Sequence, residues 1–120
     1  MKSLLLAAIV ATSWGNASYT PPSLVRDTAN EWDLITSTFT IQANVSVSVL
    51  IEVWPDGNAA AVSDHHQVVT GGTTWAKSLS FFFEDPDWSV DKDYWISILV
   101  TEIGTGQIVH DEMIQYTEWQ

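Results

Sequence analysis

The stretch EDPDWSVDKDYW, residues 84–95, places Glu84, Asp85, Asp87, Asp91 and Asp93 beside Trp88 and Trp95. Carboxylates this dense on a loop are the usual raw material of a calcium site, since calcium takes about six to eight oxygens at about 2.3–2.6 Å. Asp85, Asp87, Asp91 and Asp93 are the candidate ligands. The spacing is not that of an EF-hand. In a frame beginning at Asp85, the first, third and ninth positions are aspartate and the fifth is Ser89, but Val90 stands where glycine is needed and Ile96 where glutamate is needed. A looser site, completed by a second loop carrying Asp56 or Asp64, is the form the residues allow. A solvated acidic turn is the simpler alternative, because salt and water also relieve repulsion among neighbouring carboxylates.

Trp88 sits in the middle of that stretch. An indole beside carboxylates is suited to sugars, since the ring covers the apolar face of a pyranose while the acids accept hydrogen bonds from its hydroxyls. Trp95, on the less apolar face of its strand, and Trp54, at a strand end, extend such a platform. Trp32, Trp75 and Trp119 are expected in packing roles.

Other chemistry is sparse. Asp64-His65-His66 holds adjacent histidines that point to opposite faces of a strand and so cannot easily share a metal. His110 is the third histidine. No G-x-S-x-G, H-E-x-x-H, phosphate-cradling glycine loop or cysteine nucleophile is present. The expectation is a protein that is not an enzyme. A small hydrolase using surface carboxylates is the weakest alternative.

The elements that position these residues are strands. Val45, Val47, Val49, Ile51 and Val53 alternate with Ser46, Ser48, Leu50 and Glu52, the period-2 signature of a half-buried strand. Further strands are predicted over 38–41, 65–70, 73–83, 94–103 and 107–119. Their boundaries are a turn at Gln42-Ala43-Asn44, Pro55-Asp56-Gly57, Gly71-Gly72 and a Gly104-Thr105-Gly106 hairpin, with a bulge around His110-Asp111-Glu112. Six to seven strands with turn signals at short intervals and no helical periodicity predict an all-β chain: an antiparallel β-sandwich of immunoglobulin-like or jelly-roll type over residues 34–120.

The start of the chain reads differently. Lys2, the apolar run Leu4 to Ala11, and small Gly15 and Ala17 at the −3 and −1 positions make a secretory signal peptide over residues 1–17. The run is about half the roughly 20 residues that span a bilayer. No transmembrane segment is expected after cleavage. Residues 18–33, with Pro21-Pro22, read as an extended arm in which Leu24, Val25 and Trp32 are anchors.

Composition narrows the function classes. The formal charge is −11, from fifteen acids against four lysines and arginines. It becomes −12 on cleavage, since Lys2 leaves and no acid leaves with it. Phosphates would repel such a chain, so nucleic acid is excluded as a partner. A hydrophobic content of 46% with seven tryptophans and no cysteine implies a packed core held without disulfides. The resulting expectation is a secreted or cell-surface, non-catalytic module that binds glycan or protein, with calcium as its possible cofactor. The alternative is a subunit of an extracellular filament or surface layer, joined to copies of itself by strand addition of the arm.

Overall fold

Alternation puts one face of each strand on a core and the other toward solvent, and this chain follows the rule from Gly15 onward. The computed structural model describes residues 14–27, 29–30, 32–55, 63–84 and 93–116. They form β1 (Gly15–Tyr19), β2 (Ser23–Asp27), β3 (Trp32–Ala43), β4 (Val47–Pro55), β5 (Ser63–Val69), β6 (Thr73–Glu84), β7 (Tyr94–Glu102) and β8 (Ile108–Tyr116). All pairings are antiparallel. In the first sheet β3 is central, β6 lies along one side, and β1 and β2 share the other. The second sheet has the order β5-β4-β7-β8. This is the predicted antiparallel β-sandwich, with eight strands rather than six to seven because β1 and β2 are added at the N-terminus.

Those strands replace the expected arm. Residues 23–27 pair with 36–32 of β3, and residues 15–19 pair with 43–39. Tyr19 to Ser23 is four steps of chain opposite the three from Phe39 to Thr36, so Thr20-Pro21-Pro22 forms a bulge in one continuous edge. Proline has no N–H to donate and is tolerated at such an edge. Thr20 fastens the bulge: its N–H donates to the Thr38 carbonyl at 2.9 Å, and its own carbonyl accepts from Ser37 Oγ at 2.7 Å. The first sheet therefore begins well before residue 34, and the expected cleavage point after Ala17 falls inside β1.

The inward faces make one core. Val47, Val49, Ile51 and Val53 of β4 are fully buried, as are Ile35, Phe39 and Ile41 of β3 and Ile98 and Val100 of β7. Burying each such side chain contributes about 1.5–3 kcal/mol. Phe39 and Phe81 meet edge to face, with ring centroids 6.4 Å apart.

Two expected turns differ in kind. The link at 44–46 does not close a hairpin, because β3 and β4 belong to different sheets and the chain crosses the sandwich there. Residues 70–72 cross back and pack against it. Gly71 donates to Ser46 Oγ at 3.0 Å and Gly72 to the Ala43 carbonyl at 2.8 Å. A Cβ on Gly71 would lie 2.9 Å from Val45 Cα, so glycine is required by the closeness of the two links. The hairpin at 103–107 is as predicted, with Gly106 at φ 73° donating to the Glu102 carbonyl. The bulge of β8 is at Val109, one residue before the expected place, since Val100 pairs with His110 and Thr101 with Ile108.

Candidate binding face

Register decides which of the candidate residues meet. Trp54 of β4 and Trp95 of β7 are directly opposed in the ladder. Inward positions of both strands are odd-numbered in β4 and even-numbered in β7, so the two indoles leave the outer face of the second sheet together, each half-buried. Directly opposed side chains have Cβ atoms about 4.5–5.5 Å apart. The spacing in sequence concealed this: forty-odd residues separate two tryptophans that the ladder makes neighbours.

Around the pair the outer face mixes apolar side chains with acidic ones. Leu50 and Leu99 are opposed four residues further along the strands, beyond the Glu52–Ser97 pair, and Met113 of β8 is 56% exposed. Glu52 lies opposite Asp64, and Asp111 lies opposite Leu99. Gln115, the ladder partner of Trp95, donates its side-chain amide to Asp93 Oδ2 at 3.3 Å. Among the described outward residues of this sheet there is no lysine or arginine. Its carboxylates offer acceptors to hydroxyl groups and repel anions.

Asp93 is the one expected calcium ligand within the described residues. Asp85, Asp87 and Asp91 lie outside them, as do Trp88, Asp56 and Trp119. Asp64 is described and sits 3.8 Å from His66. Among the described residues no group of three or more acids, histidines or cysteines is gathered as a metal site. The histidines behave as the strand period requires. His65 turns inward and stacks on Trp75 at 5.7 Å, with 15° between the planes, while His66 is exposed. His110 turns inward against Trp14, 5.8 Å between ring centroids.

The expected arm anchors are divided by the pleat. Leu24 faces inward and packs on the core. Val25 faces out and is 53% exposed, in register with Leu34, which is in turn opposite Phe82. Trp32 lies on the same outer face with its ring 5.4 Å from Phe82. None of the three is carried on a free segment.

A buried polar group beneath the same end of the sandwich escaped the sequence reading. Asp33, fully buried, accepts from Arg26 Nε at 3.0 Å on the neighbouring strand and from the Tyr94 hydroxyl at 2.5 Å on the other sheet. The hydrogen bonds keep a carboxylate tolerable in the core. A lone acid at an inward strand position, with an arginine at the matching position of the next strand, was the available signal.

Comparison with known proteins bears on the fold. No family model matches the chain, and no curated protein does. Solved structures do match. A calcium-binding mutant of Bacteroides uniformis β-glucuronidase 2 aligns with a TM-score of 0.57 at 11% identity, over 84% of this chain and 13% of that one. A β-glucuronidase from glycoside hydrolase family 2 aligns at 0.52 and 10% identity, over 83% and 11% of the two chains. The Amycolatopsis orientalis exo-chitosanase CsxA aligns at 0.53 and 8% identity, over 86% and 13%. The chain thus spans about an eighth of the length of these enzymes. At such identities the likeness shows a shared β-sandwich and nothing of activity.

Proposed function

We propose that this chain is an exported, non-catalytic binding module of the cell surface or extracellular matrix, and that its ligand is a glycan held on the Trp54–Trp95 face. One observation carries the reading: two half-buried indoles stand directly opposed on a sheet face that also carries carboxylates and is free of described lysine and arginine. Rings so placed cover the apolar side of consecutive sugars, and Glu52, Asp64 and Asp93 accept from their hydroxyls. The same acids disfavour anionic sugars. The positive and apolar start of the chain, Lys2 followed by the run from Leu4, supports export, and the absence of a recognisable catalytic motif in the sequence supports binding without turnover.

Calcium is part of the proposal as an aid, bound by Asp85, Asp87, Asp91 and Asp93, with Trp88 as a further contact. The link to the indole pair is Asp93, which shares a hydrogen bond with the ladder partner of Trp95. Against the filament alternative stands the loss of its free arm, since residues 15–19 and 23–27 are paired within their own sheet.

The experiment is a pull-down on insoluble neutral polysaccharides, with and without calcium. Trp54→Ala and Trp95→Ala are each expected to weaken capture about tenfold, equivalent to about 1.4 kcal/mol, without changing the strand signal in circular dichroism. Capture that survives the double substitution, or no capture of any glycan by the unaltered chain, ends this reading. Retention of a protein partner alone would do the same.

A further inference from the structure

We infer that the leader of this chain is cut between Ser13 and Trp14, four residues before the point its small-residue pattern first suggests. Cutting happens while the chain is extended, so the constraint lies in what the product needs in order to fold. Trp14 is a core residue at 4% exposure. Its ring lies 5.8 Å from that of His110 on the opposite sheet, and its carbonyl accepts from the Asn44 N–H at 2.7 Å. Gly15 to Ser18 then pair with Ala43 to Thr40. A product beginning at Ser18 would lack the ring that fills the space beside His110 and would leave that part of β3 without its neighbour.

The residues that first suggested the later cut are accounted for by the fold. Gly15 has φ +128°, and a Cβ there would lie 1.8 Å from the Gln42 carbonyl oxygen. Only glycine suits that position. Ala17 is half-buried against the core, where a small side chain fits. Neither needs a peptidase to explain its size. The preceding pair at the same spacing is Ala11 and Ser13, both small, as a leader-cleaving peptidase requires at −3 and −1. Lys2 remains the positive end. Leu4 to Val10 is the apolar run, at the short end of the usual range of about 7–15 residues, and a leader of residues 1–13 is slightly shorter than the usual length of about 15–30. In the reaction water adds across the Ser13–Trp14 amide. The carbonyl side leaves as the Ser13 carboxylate and the nitrogen becomes the α-ammonium of Trp14.

The test is production of the full chain in an exporting bacterium, with intact mass and N-terminal sequencing of the exported product. Trp14 is the expected first residue. Ser13→Phe should stop processing, while Ala17→Val, which blocks a cut after residue 17, should leave the product unchanged. A first residue of Asn16 or Ser18, or a product that keeps residues 1–13, overturns the inference. A second measurement needs no export: chains made to begin at Trp14 and at Ser18 are compared by thermal melting. The longer one is expected to melt higher, and equal midpoints overturn the inference.

Discussion

Tyr94 and Asp33, both fully buried, join the two sheets through a hydroxyl-to-carboxylate hydrogen bond of 2.5 Å between residues 61 positions apart. Arg26 reaches the other oxygen of Asp33 from the adjoining strand. One carboxylate thus ties together β2, β3 and β7 beneath the end of the sandwich that bears the Trp54–Trp95 pair.

Removing one member of this group should be costly. Tyr94→Phe keeps the ring and deletes the donor, and is expected to destabilise by about 1–3 kcal/mol. Arg26→Met keeps much of the packing and removes the charge opposite Asp33, with an expected loss of about 3 kcal/mol, the low end for breaking a buried pair, because Arg26 retains some exposure. Urea denaturation measures both. A Tyr94→Phe chain with an unchanged midpoint would show that the hydroxyl does not bind the sheets.

Asp27 gives a pH prediction. Its carboxylate accepts from the Asn30 side-chain amide at 2.8 Å and from the backbone N–H groups of Asn30 and Ala29, each at 3.0 Å. Led by the Asn30 side-chain bond, these contacts hold its pKa below the ordinary carboxylate value. A group depressed in the folded state favours folding above its unfolded pKa, about 3.9. That contribution is lost as the pH falls through the lower folded value. Asn30→Ala should raise the Asp27 pKa, as followed by carboxyl NMR titration from about pH 2 to 6. An unmoved titration curve would exclude the side-chain amide as the main cause.

Calcium should raise the melting midpoint if the proposed site exists. Saturation at about a hundred times the dissociation constant stabilises by about 2.7 kcal/mol. The rise is expected to be absent with magnesium and abolished by Asp87→Asn. A midpoint that ignores calcium would leave the acidic stretch as a solvated turn and remove calcium from the proposal.

Gly71→Ala tests the tight end of the fold. Its Cβ would press on the Val45 backbone at 2.9 Å, so one of the two crossing links has to shift. A loss of about 1–3 kcal/mol is expected, the scale of overpacking. Gly104→Ala, in open space, should change stability by less than about 0.5 kcal/mol. Equal effects at the two positions would contradict the close approach of the links.

Much of the fold was legible because its core strands obey their period. Val47 to Val53 declare their inward face without ambiguity, and β6, β7 and the 103–107 hairpin follow the same rule. The N-terminal edge was obscured by the residues that make it work. Pro21 and Pro22 imitate a linker, while Arg26 and Asp33 occupy inward positions that the pattern reserves for apolar side chains. The link at 44–46 resembled a hairpin because sequence shows where a chain turns, not which sheet it enters. For the same reason Trp54 and Trp95 could be chosen individually, while their opposition needed the ladder.

The two ends of the sandwich are joined by very different lengths of chain. At the end where Gly71 meets Val45, the crossings use only residues 44–46 and 70–72; at the other, residues 56–62 and 85–93 connect the strands. Short, mutually packed crossings leave little freedom to change length, whereas longer connections tolerate insertion and exchange. The domain is therefore suited to serve as a scaffold with one fixed end and one editable end. New sequence grafted into 56–62 would follow directly on the strand that ends at Pro55, next in the chain to Trp54, while the opposite end continues to set the register of both sheets.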